Sequence, residues 1–247
     1  MVLDACQSVP HLPIDLSSSE YSGVDAMVFS SHKLYSPLGL GVLFLRQKSP
    51  RIKGLLNKAI PYKSGGGMID QVTLKSGDRT TFLTQGLAKF EAGTPPISSV
   101  VGLSSTLDFI TNSPNLLPHG LKSISEWTSH LTQACHAGLL KIPTITVLGP
   151  KLGEKRGPLL SFFSTAVHSS DIATFLNIEN IAVRSGHHCC QPLHSNEGSA
   201  EEVGSLGVVG GSSVRASFGM YNTEEDVSTF LKALKDTIVT FREFEIR

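Results

Sequence analysis

The chain has 247 residues, enough for one large domain or two modest ones with hydrophobic cores of their own. Its 21 basic and 21 acidic residues cancel to a formal net charge of zero, so charge gives no reason to expect nucleic acid or an anionic membrane as partner. Four cysteines (Cys6, Cys135, Cys189 and Cys190) are too few for a disulfide scaffold at this length and fit a reducing compartment better.

In chain order, "MVLDAC" reads as a short apolar strand ending at Asp4, with neither the basic nor the long apolar region of a secretory signal. "VDAMVFSS" and "GLGVLFLR" are two further strands, separated by "HKLYSPL", and their near-continuous apolar character predicts burial on both faces. "GLGVLFL" falls well short of the ~20 residues that a membrane helix needs. The glycine triplet of "SGGGMID" predicts a loop. "FEAGTPPISSVVGLSSTLDFI" predicts a helix, with Pro near its start and Ile97, Val100, Val101, Leu103 and Leu107 at helical spacing.

"TNSPNLLPHG" is rich in Pro and Asn and marks a candidate domain boundary, giving domains 1–111 and 112–247. Beyond it, "LKSISEWTSHLTQACHAGLL" reads as an amphipathic helix, and "ITVLG" and "PLLSFFST" read as strands. "SSDIATFLNIEN" reads as a helix with a Ser/Asp cap, "IAVRSG" as a strand and "EEDVSTFLKALKDTIVTF" as a terminal helix. The first third reads as α/β, and short strands alternating with helices make this second part a smaller α/β or α+β domain. The glycine-rich "HSNEGSAEEVGSLGVVGGSS" predicts a mobile surface loop.

Chemistry-bearing residues gather at strand ends. Asp4 and Gln7 stand where the first strand runs out, the place where doubly wound sheets bind ligands. A turn or cap role is the commoner fate of a lone Asp. "SSHK" brings Ser30, Ser31, His32 and Lys33 to a similar edge, where a lysine is either a solvated charge or a desolvated amine able to form an imine. In "VRSGHHCCQPLH", adjacent Cys189 and Cys190 lack the spacing of a structural zinc site, so no metal is expected. Arg215 lies inside an apolar "VRASF" pattern, which makes a purely solvated role less fitting. Cys6 reads as a buried strand-end hydrophobe and Cys135 as a helix-face core residue.

Taken together, "VLDACQSVPHLPIDL", "VDAMVFSSHKLYSPLGLGVLF", "GGGMI", "FEAGTPP", "IAVRSGHHCCQPL" and "VRASFGMYNT" resemble, in order, the class V aminotransferase family of pyridoxal phosphate (PLP) enzymes. The likeness is strongest to its SufS-type cysteine desulfurases, which also act as selenocysteine lyases. The resemblance implies a fold type I PLP transferase: the C-terminal part of the large domain in 1–111, and the small domain carrying the catalytic-cysteine loop in 112–247. It implies that Lys33 carries PLP, that Ser30 and His32 contact its phosphate, that Asp4 pairs with the pyridinium nitrogen and that Gln7 bonds the ring hydroxyl oxygen. Thr94 would reach the phosphate of a neighbouring subunit, which implies a homodimer, and Arg215 would clamp the substrate carboxylate. Cys189 would accept sulfur from L-cysteine as a persulfide, leave L-alanine, and pass the sulfur to an acceptor protein for iron–sulfur cluster assembly. His187 and His188, if protonated, would favour the Cys189 thiolate. Cys190 is expected to be inert.

Relatives of this kind carry an N-terminal half with a Gly/Thr phosphate cradle, a ring-stacking side chain and a substrate-holding Asn, none of which precedes "VLDACQ" here. The reading therefore expects weak PLP retention and little turnover from this chain alone. An interaction module without turnover, and a selenocysteine lyase, remain the alternatives. Such enzymes occur in bacterial cytoplasm and in plastids, and the sequence does not choose between them.

Overall fold

The computed structural model describes residues 1–75, 77–84, 86–194 and 211–245. The chain forms two compact units, Met1–Leu121 and Lys122–Arg247. The Pro- and Asn-rich stretch 111–120 belongs to the first of them.

In the first unit, β1 (Val2–Asp4) runs parallel to β2 (Ala26–Ser30), which pairs antiparallel with β3 (Gly41–Leu45). Because β1 and β2 are parallel, Asp4 and Ser30 both finish at the same, carboxyl edge of the sheet. The chain leaves β2 through a 3₁₀ turn, Ser31–Leu34, and Tyr35 at φ 58° reverses it toward β3. Fully buried Ser31 ties this connection down, its hydroxyl donating to the carbonyls of Pro37 (3.1 Å) and Leu40 (3.0 Å). Burial on both faces holds for the start of β2, where Ala26 and Met27 are enclosed. It fails for the flanking strands: Val2 is 69% exposed and Leu43 59%. Three strands have one interior position, so only the middle one is covered on both sides within the unit.

Next come α1 (Pro50–Lys58), capped by Ser49 with Pro50 at its first position, and a hairpin of β4 (Ile69–Lys75) and β5 (Asp78–Leu83). α2 (Ile97–Asn112) forms where the apolar spacing places a helix, but Ile97, Val100 and Val101 are exposed. Its buried contact is with the Lys33 connection. Gly102 lies against Pro37, so that a methyl group there would fall 2.5 Å from the proline ring. The Ser99 hydroxyl donates to the Leu38 carbonyl at 2.8 Å.

The second unit packs three long helices on an antiparallel sheet. Its elements are α3 (Leu121–Leu139), β6 (Ile145–Val147), β7 (Leu159–Ser164), α4 (Ser169–Ile178), β8 (Arg184–Gly186), a single turn α5 (Gln191–His194), β9 (Ser213–Ser217) and α6 (Glu224–Glu245). The strand order is β6-β7-β9-β8. Leu131, Cys135 and Leu139 meet the core at four-residue spacing from α3, as do Phe230, Leu234 and Ile238 from α6. Alternate residues Leu160 and Phe162 of β7 point into the same core. The cap of α4 differs from expectation. His168 fills it, its Nδ1 accepting from the Ser170 amide at 3.3 Å, because Ser169 turns inward to donate to the Ser212 carbonyl. Of the predicted surface loop, residues 195–210 lie outside the described residues. Among the described residues no helix is long and apolar enough to cross a membrane.

Two substitutions test this packing. Leu234→Ala, at a fully enclosed position, is expected to lower unfolding stability by about 2–5 kcal/mol in denaturant titration. Gly102→Ala gains about 1 kcal/mol of helix propensity, but the stiff Pro37 ring has no room to yield, so a net loss of stability is expected, by up to about 3 kcal/mol.

Candidate functional site

The chemistry-bearing residues form two clusters, one in each unit. The first occupies the carboxyl edge of β1 and β2. Asp4 ends β1 and its Oδ1 accepts the Cys6 amide at 3.0 Å. Hydrogen bonds from the Cys6 amide and side chain, helped by the Lys33 ammonium, hold the Asp4 carboxyl below its ordinary value against a small burial effect. It is therefore an anion at neutral pH, and a fixed one. Ser30 ends β2 half-buried, and His32 and Lys33 stand exposed on the turn that follows. Gln7 is exposed in the turn after β1. Cys6 departs from the buried role expected of it: it is half-buried, with Sγ 3.8 Å from the Ser30 hydroxyl. The turn after β1 points its side chain along the sheet edge rather than into the core.

Thr94 is exposed on the bend after the 3₁₀ turn Ala88–Phe90. The glycine triplet explains how that bend is held. The Gly93 amide donates to the Gly66 carbonyl at 2.9 Å, and a methyl group on Gly65 would sit 3.3 Å from the Gly93 nitrogen. Two glycine-rich segments approach backbone to backbone, which side chains would prevent.

The second cluster surrounds Cys189. β8 ends at Gly186, and His188 (φ 50°) and Cys189 (φ 64°) then take up left-handed backbone conformations. Such residues cost on the order of 1–2 kcal/mol each and persist only when their surroundings hold them. Here the holders are visible. His188 Nε2 lies 3.0 Å from the Ser213 carbonyl and 3.1 Å from its hydroxyl. The Cys190 amide and thiol both donate to the His187 carbonyl, at 2.8 and 3.0 Å. His194 closes the loop, with Nδ1 3.2 Å from the Cys190 carbonyl and Nε2 2.9 Å from the Ser213 hydroxyl. The result is an exposed Cys189 beside an open concavity of about 490 Å³, lined by Arg184, Ser185, His187, His188 and Gln191.

Burial, then the nearby charges of Arg215, His194 and Arg184, push the His188 ring below its ordinary value, against the opposing pull of its bond to Ser213. At neutral pH His188 is thus uncharged. The condition on which His188 would favour the Cys189 thiolate, a protonated ring, is therefore opposed by its surroundings. Cys190 spends its thiol proton on a backbone carbonyl. Arg215 stands half-buried on β9, in register with Ser161 on one side and Arg184 on the other. Its Nε is buried with no hydrogen-bond partner among the described residues. Among the described residues, no three His, Cys, Asp or Glu side chains converge as metal ligands.

Sequence reasoning missed Ser213 and His194. The only signal for them was weak: a serine two residues before Arg215, on the same face of β9 by strand alternation, and a histidine seven residues after His187.

Comparison with known proteins gives a consistent result. The family model for class-V aminotransferases matches residues 1–230. A probable cysteine desulfurase 2 of Mycobacterium leprae is 39% identical over 92% of this chain and 47% of its own length. A probable cysteine desulfurase of Synechocystis is 35% identical over 98% of this chain and 51% of its own. Among solved structures, the cysteine desulfurase CsdA of Escherichia coli superposes with a TM-score of 0.76 at 30% identity, over 97% of this chain and 51% of that one. The apo cysteine desulfurase of Thermococcus onnurineus gives 0.78 at 31%, over 97% and 52%. The chain spans about half the length of the relatives it matches.

The thiols should differ in reactivity. Burial encloses Cys135 completely and pushes its thiol up to about 12, whereas Cys189 is exposed. Brief alkylation of native protein at mildly alkaline pH, read by peptide mass spectrometry, is expected to modify Cys189 first and Cys135 only after denaturation. Cys190 labelled ahead of Cys189 would contradict the hydrogen bond assigned to it.

Proposed function

We propose, from the premise that the chain belongs to the class-V aminotransferase family with an α/β, fold type I architecture, that it is a PLP-dependent cysteine desulfurase acting in sulfur transfer for iron–sulfur cluster assembly. Its substrate is L-cysteine, its products L-alanine and a persulfide on Cys189, and it works as a homodimer that hands sulfur to an acceptor protein. The family relationship implies the cofactor, and the residues present fit it. A fixed carboxylate, a free amine and a hydroxyl gathered at the ends of two parallel strands are the donors that a phosphorylated pyridinium aldehyde requires. Two observations support the reading, one in each unit: an ionised Asp4 with Lys33 near enough to help hold its charge, and an exposed thiol presented by two left-handed residues.

The chain's own residues divide the work. Asp4 keeps a proton on the ring nitrogen by offering it a permanent negative charge. Gln7 bonds the ring oxygen, and Ser30 and His32 donate to the phosphate. Thr94 donates to the phosphate held by the other subunit. When bound, PLP supplies an electron sink for the pair of electrons left at the substrate's Cα. Lys33 would hold the cofactor through its side-chain amine and, once the substrate's amine has taken its place there, would be free to move the Cα proton. The Arg215 guanidinium takes the substrate carboxylate in bidentate fashion, which places the thiol of the substrate rather than its acid group toward Cys189. The Cys189 thiolate attacks that sulfur: an S–S bond forms, the C–S bond breaks, and the carbon left behind takes up a proton to become alanine. An acceptor thiolate then attacks the outer sulfur and regenerates the Cys189 thiolate. An exposed position is what this last exchange needs.

Borohydride reduction of PLP-loaded chain should fix the cofactor on the peptide that contains Lys33, and Lys33→Ala should abolish the attachment. With L-cysteine added, alanine and reducible sulfide should form in small yield, and Cys189→Ser should remove both while leaving the cofactor's colour. Alanine formation that persists in Cys189→Ser would contradict the persulfide role, and a colourless wild type would favour an interaction module.

A further inference from the structure

We infer that Ser213 is a positioning residue: its carbonyl and buried hydroxyl together bind the rings of His188 and His194 and so hold the turn that presents Cys189. The inference rests on the desulfurase reading only for its catalytic consequence, and its geometry stands alone. Donor and acceptor chemistry orders the network. The Cys190 carbonyl can only accept, so His194 Nδ1 carries hydrogen and donates to it across 3.2 Å. With hydrogen on Nδ1, the uncharged form of the His194 ring offers Nε2 as an acceptor, and in that form the Ser213 hydroxyl, 2.9 Å away, donates its one proton there. The Ser213 carbonyl can likewise only accept, so His188 Nε2 carries hydrogen, shared between that carbonyl at 3.0 Å and the lone pairs of the hydroxyl at 3.1 Å. One oxygen thus receives from His188 and gives to His194.

The surroundings make this arrangement stiff. Ser213 is fully buried and His194 is 3% exposed, so water does not compete for the bond between them, and the bonds from His188 and to the Cys190 carbonyl are partly buried. Both His187 and His188 meet the His194 ring edge to face, with centroids 5.9 and 5.8 Å away. Cys189 is therefore clamped from both sides in sequence. His188 before it is tied to β9 by Ser213, and the Cys190 carbonyl after it is tied to the same hydroxyl through His194. Ser213 also lies two residues from Arg215 on one strand face, so the sulfur acceptor and the carboxylate clamp take their positions from one strand. Without the hydroxyl, the left-handed pair His188–Cys189 loses one of the restraints that offset its backbone cost, the link that joins the two rings.

Nitrogen chemical shifts of histidine-labelled full-length chain test the assignment without cofactor or substrate. The wild type should show His188 as the Nε2–H form and His194 as the Nδ1–H form. Ser213→Ala, a small change expected to leave the fold and melting transition in place, should leave hydrogen on His194 Nδ1 but shift its Nε2 resonance as the bond to the hydroxyl is lost. In turnover, Ser213→Ala should lower kcat for alanine formation by about tenfold, with KM for cysteine within about twofold, because displacement of the nucleophile affects the chemical step while Arg215 is untouched. His194→Asn, whose amide nitrogen keeps a donor for the Cys190 carbonyl, should retain more of kcat than His194→Ala. A wild-type His194 protonated on Nε2, or Ser213→Ala with unchanged shifts for both rings, would overturn the inference. Tautomers as assigned, with no alanine from wild type, would keep Ser213 in its role and remove the desulfurase reading instead.

Discussion

Two consecutive residues in the left-handed region, neither of them glycine, carry the second half of this molecule's chemistry. His188 and Cys189 adopt a backbone that an isolated peptide would leave, and the cost is met by hydrogen bonds to one buried strand. Everything about Cys189 that suits sulfur chemistry follows from this constraint. The strained turn lifts the thiol into solvent, and the tethers on either side stop the strain from relaxing. The neighbouring cysteine is drawn back onto a carbonyl, so two adjacent thiols meet different fates.

The first unit solves a simpler problem by topology. Parallel pairing of β1 and β2 delivers two chain ends to one edge without any long side-chain reach. Asp4 arrives directly. Lys33 arrives on the turn three residues past Ser30, in a connection fixed by Ser31 and backed by α2 through the close approach of Gly102 to Pro37. Small residues in α2 are thus explained by what lies against them, and its exposed apolar residues belong to the other side of the helix.

How much of this was legible beforehand depended on how local the cause was. The strands ending in Asp4 and Ser30 were readable because continuous apolar runs ended at turn residues, and the core helices because Leu131, Cys135 and Leu139 repeat at four-residue spacing. Helix α1 and the β4–β5 hairpin were missed although signals existed: Ser49 before Pro50, and Val72, Thr73, Thr80 and Thr81 flanking a Gly turn. The cap of α4 was misassigned because the pull of the Ser212 carbonyl on Ser169 is a tertiary effect. The same holds for the candidate site. Motifs named Asp4, Lys33, Cys189 and Arg215, but no local pattern announces that Ser213 and His194, nineteen residues apart, lie within hydrogen-bonding distance. Nor does "GHHC" show that burial discharges His188.

The central claim is that sulfur leaves the substrate for one particular atom of this chain. Peptide mass spectrometry of the PLP-loaded protein, after incubation with L-cysteine and quenching without reductant, tests it most directly. The account predicts a gain equal to one sulfur atom on Cys189, removed by subsequent reduction and absent from Cys6, Cys135 and Cys190. Sulfur found on Cys190, or on none of the four, would contradict it.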